Sequence, residues 1–193
     1  MLIIVSGFAG SGKSTLSEAL GKEFGLKVVH ASHLLKELQK KKPEELDIEN
    51  TQAGTGFWES KEGQSFLEKR QKDSSMDRAL DKKLLEIAKK GNVVLDSWTM
   101  PWLCKDGFKI WLNTSAKERA KRVANRDGLP EKEVLAKILE RDKKTAQIYE
   151  KLYGFKIGKD FSPFQLLINA DKLKEKQVFE IAAGKIRESF LQK

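Results

Sequence analysis

Leu2-Ile3-Ile4-Val5-Ser6-Gly7-Phe8-Ala9-Gly10-Ser11-Gly12-Lys13-Ser14-Thr15 decides the fold. Leu2 to Ser6 is a short, mostly apolar run that stops at a glycine, as a strand buried on both faces of a parallel sheet does. From Gly7 onward the chain fits G-x-x-x-x-G-K-[ST] at every fixed position. The chemistry explains each residue type. Glycines let backbone N–H groups turn toward an anion with no Cβ in the way. The helix expected from Lys13, with Leu16, Ala19, Leu20 and Phe24 on one face and Gly25 at its end, points its positive dipole end at the same anion. Gly7, Phe8, Ala9, Gly10, Ser11, Gly12, Lys13, Ser14 and Thr15 are therefore read as a triphosphate-binding loop. Lys13 supplies a point charge to the β- and γ-phosphates, and the Ser14 hydroxyl is a magnesium ligand. A chance glycine turn would lack the strand before it and the helix after it.

Working outward, the pattern predicts further strands at residues 27–30, 93–95, 108–112 and 164–168, separated by helical segments. Helices are expected from Leu34 to about Gln39, over 65–90 with a break near Asp73-Ser74-Ser75, over 116–126 and 131–152, and over 174–191. Gly54-Thr55-Gly56-Phe57-Trp58 reads as a loop carrying exposed aromatics. Strands alternating with helices predict a three-layer α/β fold around a parallel sheet of about five strands, in one domain spanning 1–193.

Composition narrows the class. Of 193 residues, 39% are hydrophobic and 34% charged, which fits a folded chain with a heavily charged surface. No apolar stretch approaches the roughly 18 residues of a membrane-spanning helix. The single cysteine, Cys104, excludes an internal disulfide, and no Cys/His cluster has metal-ligand spacing. With no secretory pattern at Met1-Leu2-Ile3, a cytoplasmic location is the expectation. The net charge of +9 favours anionic partners. Its lysines are spread along helices, so a solvated surface explains most of them without nucleic acid.

A phosphate loop alone does not distinguish kinases from GTPases or motors. The shortness of the chain, the lack of an N/T-K-x-D-like guanine motif and the late arginines point to a small ATP-dependent kinase. Arg119, Arg122 and Arg126 fall at i, i+3 and i+7, on one helix face, with Arg141 following. Phosphoryl transfer works by positioning and charge neutralisation, so Arg122, Arg126 and Arg141 join Lys13 as candidate catalytic residues. A solvated basic face is the alternative for any one of them. Asp96 ends a central strand, where ligands bind in open α/β sheets. It is read as a magnesium ligand or as orienting the acceptor, with a turn-capping aspartate as the alternative.

The same stretches, taken with Ala31 to Glu37, Met76 to Asp81, Gly91 to Asp96, Lys109 to Leu112, Arg141-Asp142, Tyr153-Gly154 and Leu166 to Asn169, make the chain resemble the archaeal type of cytidylate kinase, in the nucleoside monophosphate kinase family. The resemblance implies transfer from ATP, with magnesium, to CMP or dCMP, an acceptor-binding insertion at about 32–81 and a lid at about 127–153. Apart from the resemblance, the expectation is a monomer with no membrane contact, and with nucleic acid not needed as a partner. The resemblance also exposes departures. Lys36 stands where the family usually has arginine, and Asp96-Ser97-Trp98 replaces Glu-Gly-Arg; those arginines hold the acceptor phosphate, and lysine does not reproduce their bidentate fork. Lys36, Arg70 and Arg78 become candidates to replace them, each with a surface position as the alternative. Ser32 falls in the acceptor region. Asp77 and Asp81, one helical turn apart, are read either as contacts to a base or ribose or as partners of nearby lysines. Trp98 and Trp102 are read as acceptor-pocket walls or as core, Trp58 as part of an acceptor-side loop, and His30 and His33 receive no chemical role. Two rivals remain: a kinase of this fold for another small acceptor, and an ATP-dependent factor associated with RNA or ribosomes.

Overall fold

The computed structural model describes residues 1–54 and 56–191. Five strands form one parallel sheet in the order β2-β3-β1-β4-β5. They are β1 (Leu2–Gly7), β2 (Lys27–His30), β3 (Val93–Asp96), β4 (Phe108–Asn113) and β5 (Leu166–Asn169). The helices are α1 (Lys13–Phe24), α2 (Ala31–Glu37), α3 (Lys61–Lys72), α4 (Ser75–Lys90), α5 (Met100–Leu103), α6 (Ala116–Asp127), α7 (Glu131–Tyr153) and α8 (Glu175–Leu191), with one 3₁₀ turn at Pro43–Glu45. This is the three-layer α/β fold expected from the sequence.

The layers follow from the period-2 alternation of strand side chains. Leu2 and Ile4 of β1 and Val93 and Leu95 of β3 face a core built with α2 and α4, through Leu34, Leu80 and Leu84. Ile3, Val5 and Val94 face the opposite way, onto a core formed with Leu16 and Leu20 of α1 and Ala182 and Ile186 of α8. A strand covered on both faces has to be apolar throughout, which is why β1 and β3 read as unbroken runs. A third, aromatic-rich cluster lies around Trp111, Ile148, Tyr149 and Ile157, and a small fourth one joins α6 to α7.

The structure differs from the sequence expectations in several places. Residues Ala31 to His33 are already helical, so α2 leaves β2 without a loop. β5 starts at Leu166 rather than at Phe164, because Phe164 turns into the aromatic cluster against Trp102 and Trp111. A four-residue helix, α5, follows Asp96 where none was expected. Phe57 and Trp58 are not exposed: both pack on Phe66, and burial of two aromatics fixes this loop to α3. Thr55, part of the same expected loop, lies outside the described residues.

Candidate active site

The order β2-β3-β1-β4 puts the carboxyl ends of β1 and β3 side by side, with Val5 in register with Asp96. The loop after β1 and the aspartate ending β3 therefore meet at the crevice that this topology creates. Ser14, in the first turn of α1, donates to Asp96 Oδ2 at 2.7 Å. Lys13 is buried and donates to the carbonyl of Phe8 at 3.0 Å, folding over its own loop. Burial lowers the Lys13 pKa, while Asp96 and Asp142 oppose the loss of charge. Burial would raise Asp96, but the His30 hydrogen bond and the Lys13 charge prevail and hold the carboxyl below the ordinary range.

The loop is held from outside. Gly10 has φ +77°, and a Cβ there would lie 2.9 Å from Val123 Cγ2 and 3.0 Å from the Arg119 carbonyl, so the loop rests directly on α6. Arg119 is inside the protein. It pairs with Asp142 at 2.7 Å and donates to the carbonyls of Ala9 at 2.8 Å and Thr114 at 3.1 Å. Of the three arginines on one helix face, this one braces the loop. The ring of Phe8 seats against Gly158 and packs edge-on against Trp98 and Trp111.

Two cavities open from the loop. The first is lined by Gly10 to Leu16, Leu112, Arg122, Leu173, Val178 and Phe179, among others. The second runs from Lys13 and Ser14 past Asp96 and Trp98 to Trp58, Arg70, Asp81, Arg141, Thr145 and Tyr149. Gly10, Lys13, Ser14 and Arg126 border both, so they mark the junction where a group passes from one side to the other. Arg122 spans the first cavity's rim, donating to the carbonyls of Ala170 at 2.7 Å and Ser11 at 3.4 Å. Arg126 lies on Asp127 at 2.6 Å and within 3.9 Å of Glu59.

The second cavity brings together Ser32, Arg70, Asp81 and Trp98 of the expected acceptor residues. Lys36 does not line it; its ammonium sits 4.8 Å above the Phe57 ring. Asp77 stands behind the wall and holds Arg70 with two hydrogen bonds, of 3.2 and 2.6 Å. Burial works against the Arg70 charge, but Tyr149 and Asp77 outweigh it and raise its pKa. Asp81 accepts from Thr99 at 2.6 Å and from Tyr153 at 2.8 Å, yet burial dominates and raises its pKa to about 7. Arg141 lies 4.2 Å over the Trp58 ring, with no carboxylate within ion-pair distance among the described residues. Burial lowers its pKa to about 10, against the pull of Glu59 and Asp142.

Sequence reasoning overlooked Thr145, Tyr149 and His30. Arg141, Thr145 and Tyr149 are spaced i, i+4, i+8 on α7, and that spacing was a usable signal. The Thr145 hydroxyl is buried and has no hydrogen-bond partner among the described residues. His30, given no chemical role from sequence, is fully buried between Asp96 at 3.0 Å and Glu18 at 2.7 Å. Trp102 packs outside the cavity, stacked on Phe155 and donating to Asp160 at 2.8 Å. Trp111, likewise, is core.

The fold and the glycine loop with its lysine, serine and facing aspartate define a P-loop kinase. Shikimate kinase from Bacteroides thetaiotaomicron shares this fold at a TM-score of 0.58 and 19% identity, over 98% of each chain. Residues 2–172 match the model of the cytidylate kinase-like family, and the chain belongs to that family. The cytidylate kinase of Pyrococcus horikoshii is 35% identical over 187 residues, covering 96% of this chain and 88% of its own length. That of Thermococcus kodakarensis is 34% identical over the same shares. Among the described residues no helix is long and apolar enough to cross a membrane.

Proposed function

We propose that this chain transfers the γ-phosphoryl group of ATP to CMP or dCMP, giving the diphosphate. The observation that carries the reading is the pair of cavities meeting at Gly10, Lys13, Ser14 and Arg126, in a chain of the cytidylate kinase-like family. The first cavity takes the donor: the loop amides cradle phosphates, and the apolar wall of Leu173, Val178 and Phe179 with the plane of Arg122 accommodates the base. The second takes the acceptor. Arg70 is bound to Asp77, so Arg141, with no carboxylate within ion-pair distance among the described residues, is the guanidinium best placed to receive the acceptor phosphate that Lys36 and Trp98 do not hold. The Thr145 hydroxyl and the Asp81 carboxyl offer a donor and an acceptor to the nucleoside.

Ser14 and Asp96 suit a hard cation, being two oxygen ligands 2.7 Å apart beside the phosphate loop. Magnesium held there would take its remaining ligands from phosphate and water. When bound, magnesium neutralises phosphate charge and orients the transferred group. The chain's own residues do the rest. Lys13 carries charge at the junction, Arg122 and Arg126 approach from α6, and α7 brings Arg141. Residues 127–153 then act as a lid over an acceptor region at 32–81, excluding water so that the phosphoryl group reaches the nucleotide. The protein works as a cytoplasmic monomer.

The test is ADP release with ATP and magnesium against CMP, dCMP, UMP, AMP, GMP and no acceptor. CMP or dCMP should stimulate turnover most strongly, and Arg141→Met should lower kcat/KM for CMP by about 10²-fold, as loss of a charged phosphate contact does. Stimulation by none of the nucleotides would refute the reading and turn the search to other small acceptors.

A further inference from the structure

His30 is a residue that packing alone does not explain. It lies between Val29 and Ala31, both buried and apolar, at a place where a small aliphatic side chain would satisfy the core. Its surroundings are set by two simple periodicities. β2 and β3 are parallel with His30 in register with Asp96, so both side chains leave the sheet on the same face. Ser14 and Glu18 are i and i+4 on α1, which puts both on the helix face lying over those strand ends. The four residues meet in a chain of three contacts. Ser14 donates to Asp96 Oδ2 at 2.7 Å, His30 Nδ1 reaches the same oxygen at 3.0 Å, and His30 Nε2 reaches Glu18 Oε1 at 2.7 Å.

We propose that His30, braced by Glu18, is a positioning residue that fixes the orientation of Asp96 for magnesium–nucleotide binding. The proposal rests on the reading of Ser14 and Asp96 as the metal's protein ligands. Asp96 ends its strand and has two side-chain torsions to settle; Ser14 alone restrains one oxygen from one side. His30 restrains that oxygen from a second direction, so the carboxylate plane is defined and Oδ1 is left without a protein donor among the described residues. The imidazole in turn is held at its far nitrogen by a carboxylate whose side chain is 57% exposed and anchored on α1. Glu18, His30 and Asp96 thus join α1, β2 and β3 at the point where the loop, the metal ligand and the first residues of α2 converge. Supporting partners of this kind act on metal affinity through the ligand they orient, and losing one typically costs about 10–100-fold in that affinity.

The experiment measures binding of a non-hydrolysable ATP analogue by calorimetry, with magnesium and with EDTA, for the full chain. His30→Ala should weaken magnesium-dependent binding by about 10-fold or more while leaving metal-free binding within about 2-fold. His30→Asn, which keeps an N–H near the position of Nδ1, should recover most of the loss. Steady-state assays should show the same split, with a higher magnesium requirement and a kcat at saturating metal close to that of the parent. Glu18→Ala, at a half-exposed site that the fold tolerates, should show a smaller loss in the same direction, about 3-fold, and decides the matter if His30→Ala does not fold. Equal losses with and without magnesium, or an unchanged ratio in both variants, would overturn the proposal and leave His30 a packing residue. A parent protein that binds the analogue equally with and without magnesium would overturn the metal reading itself, whatever the acceptor assays show.

Discussion

The donor side and the acceptor side of this molecule are built by different means. On the proposed donor side, Gly7 to Thr15 would carry the chemistry in nine consecutive residues, chiefly through backbone N–H groups and one helix end. On the acceptor side the cavity wall is assembled from side chains of α2, α3, α4, α7 and the turn after β3, residues separated by more than a hundred positions. A backbone site is specified locally and tolerates change elsewhere. A side-chain site depends on tertiary packing, so single substitutions rewrite it while the rest of the fold stays in place. Lys36 and Trp98 lie on that rewritable side, and Lys13 and Ser14 on the other.

The comparison is broken most severely by Lys13→Ala. Loss of the one buried ammonium at the junction of both cavities should lower kcat by about 10⁴-fold, the range seen when a cation is withdrawn from phosphoryl transfer. The fold should remain, because Lys13 donates only to its own loop, and circular dichroism with thermal melting would check this. Activity within 10-fold of the parent would mean that charge at the junction comes from Arg126 and Arg141 instead.

Asp77→Asn strikes the acceptor side, and through stability. Arg70 is 2% exposed and its fork is spent on Asp77, so removing the carboxylate leaves a buried cation short of its counter-charge. Breaking one half of such a pair costs about 3–5 kcal/mol, or on the order of 10 °C in Tm for a chain of this size. Lys185→Ala, which removes an exposed pair on α8 of similar length, should leave Tm within about 2 °C. Equal shifts for the two would show that Arg70 finds water or Tyr149 as a sufficient partner.

This asymmetry also explains how far the sequence could be read. β1, the loop and α1 were legible because each signal is contiguous: an apolar run, fixed glycines, a 3.6-residue period. The layers followed from strands alternating with helices and from the unbroken apolar run of β1, which must be covered on both faces. Asp96 was legible as the last residue of a strand. The acceptor wall was only half legible, since Asp77 and Asp81 look alike in sequence, one turn apart on α4, yet one braces Arg70 and the other lines the cavity. Arg119, Arg122 and Arg126 likewise share a helix face, and only the packing of α6 against Gly10 turns the first into a brace. His30 carried no local signal, because its partners come from a different strand and a different helix.

The smallest effect tests Asp81, where burial and hydrogen bonding pull in opposite directions. Its pKa is about 7 in the folded chain against an ordinary 3.8, chiefly through burial, with Thr99 and Tyr153 opposing. The folded state therefore holds a proton that the unfolded chain has already released between about pH 4 and pH 7. Stability must fall as pH rises through that window, by at most about 1.4 kcal/mol per unit, and level off above it. His30, with its pKa raised by Asp96 and Glu18 against the effect of burial, adds a slope of the same sign above pH 6.5, so the parent's profile alone does not isolate Asp81. The difference from Asp81→Asn does, since the amide keeps the volume and does not titrate. Urea midpoints from pH 4.5 to 8 should give a parent-minus-variant difference that falls as pH rises to about 7 and is flat above it. Parallel profiles would mean that the hydroxyls of Thr99 and Tyr153 hold Asp81 ionised, making it a permanent acceptor facing the nucleoside and giving the acceptor side a fixed negative charge opposite Arg141.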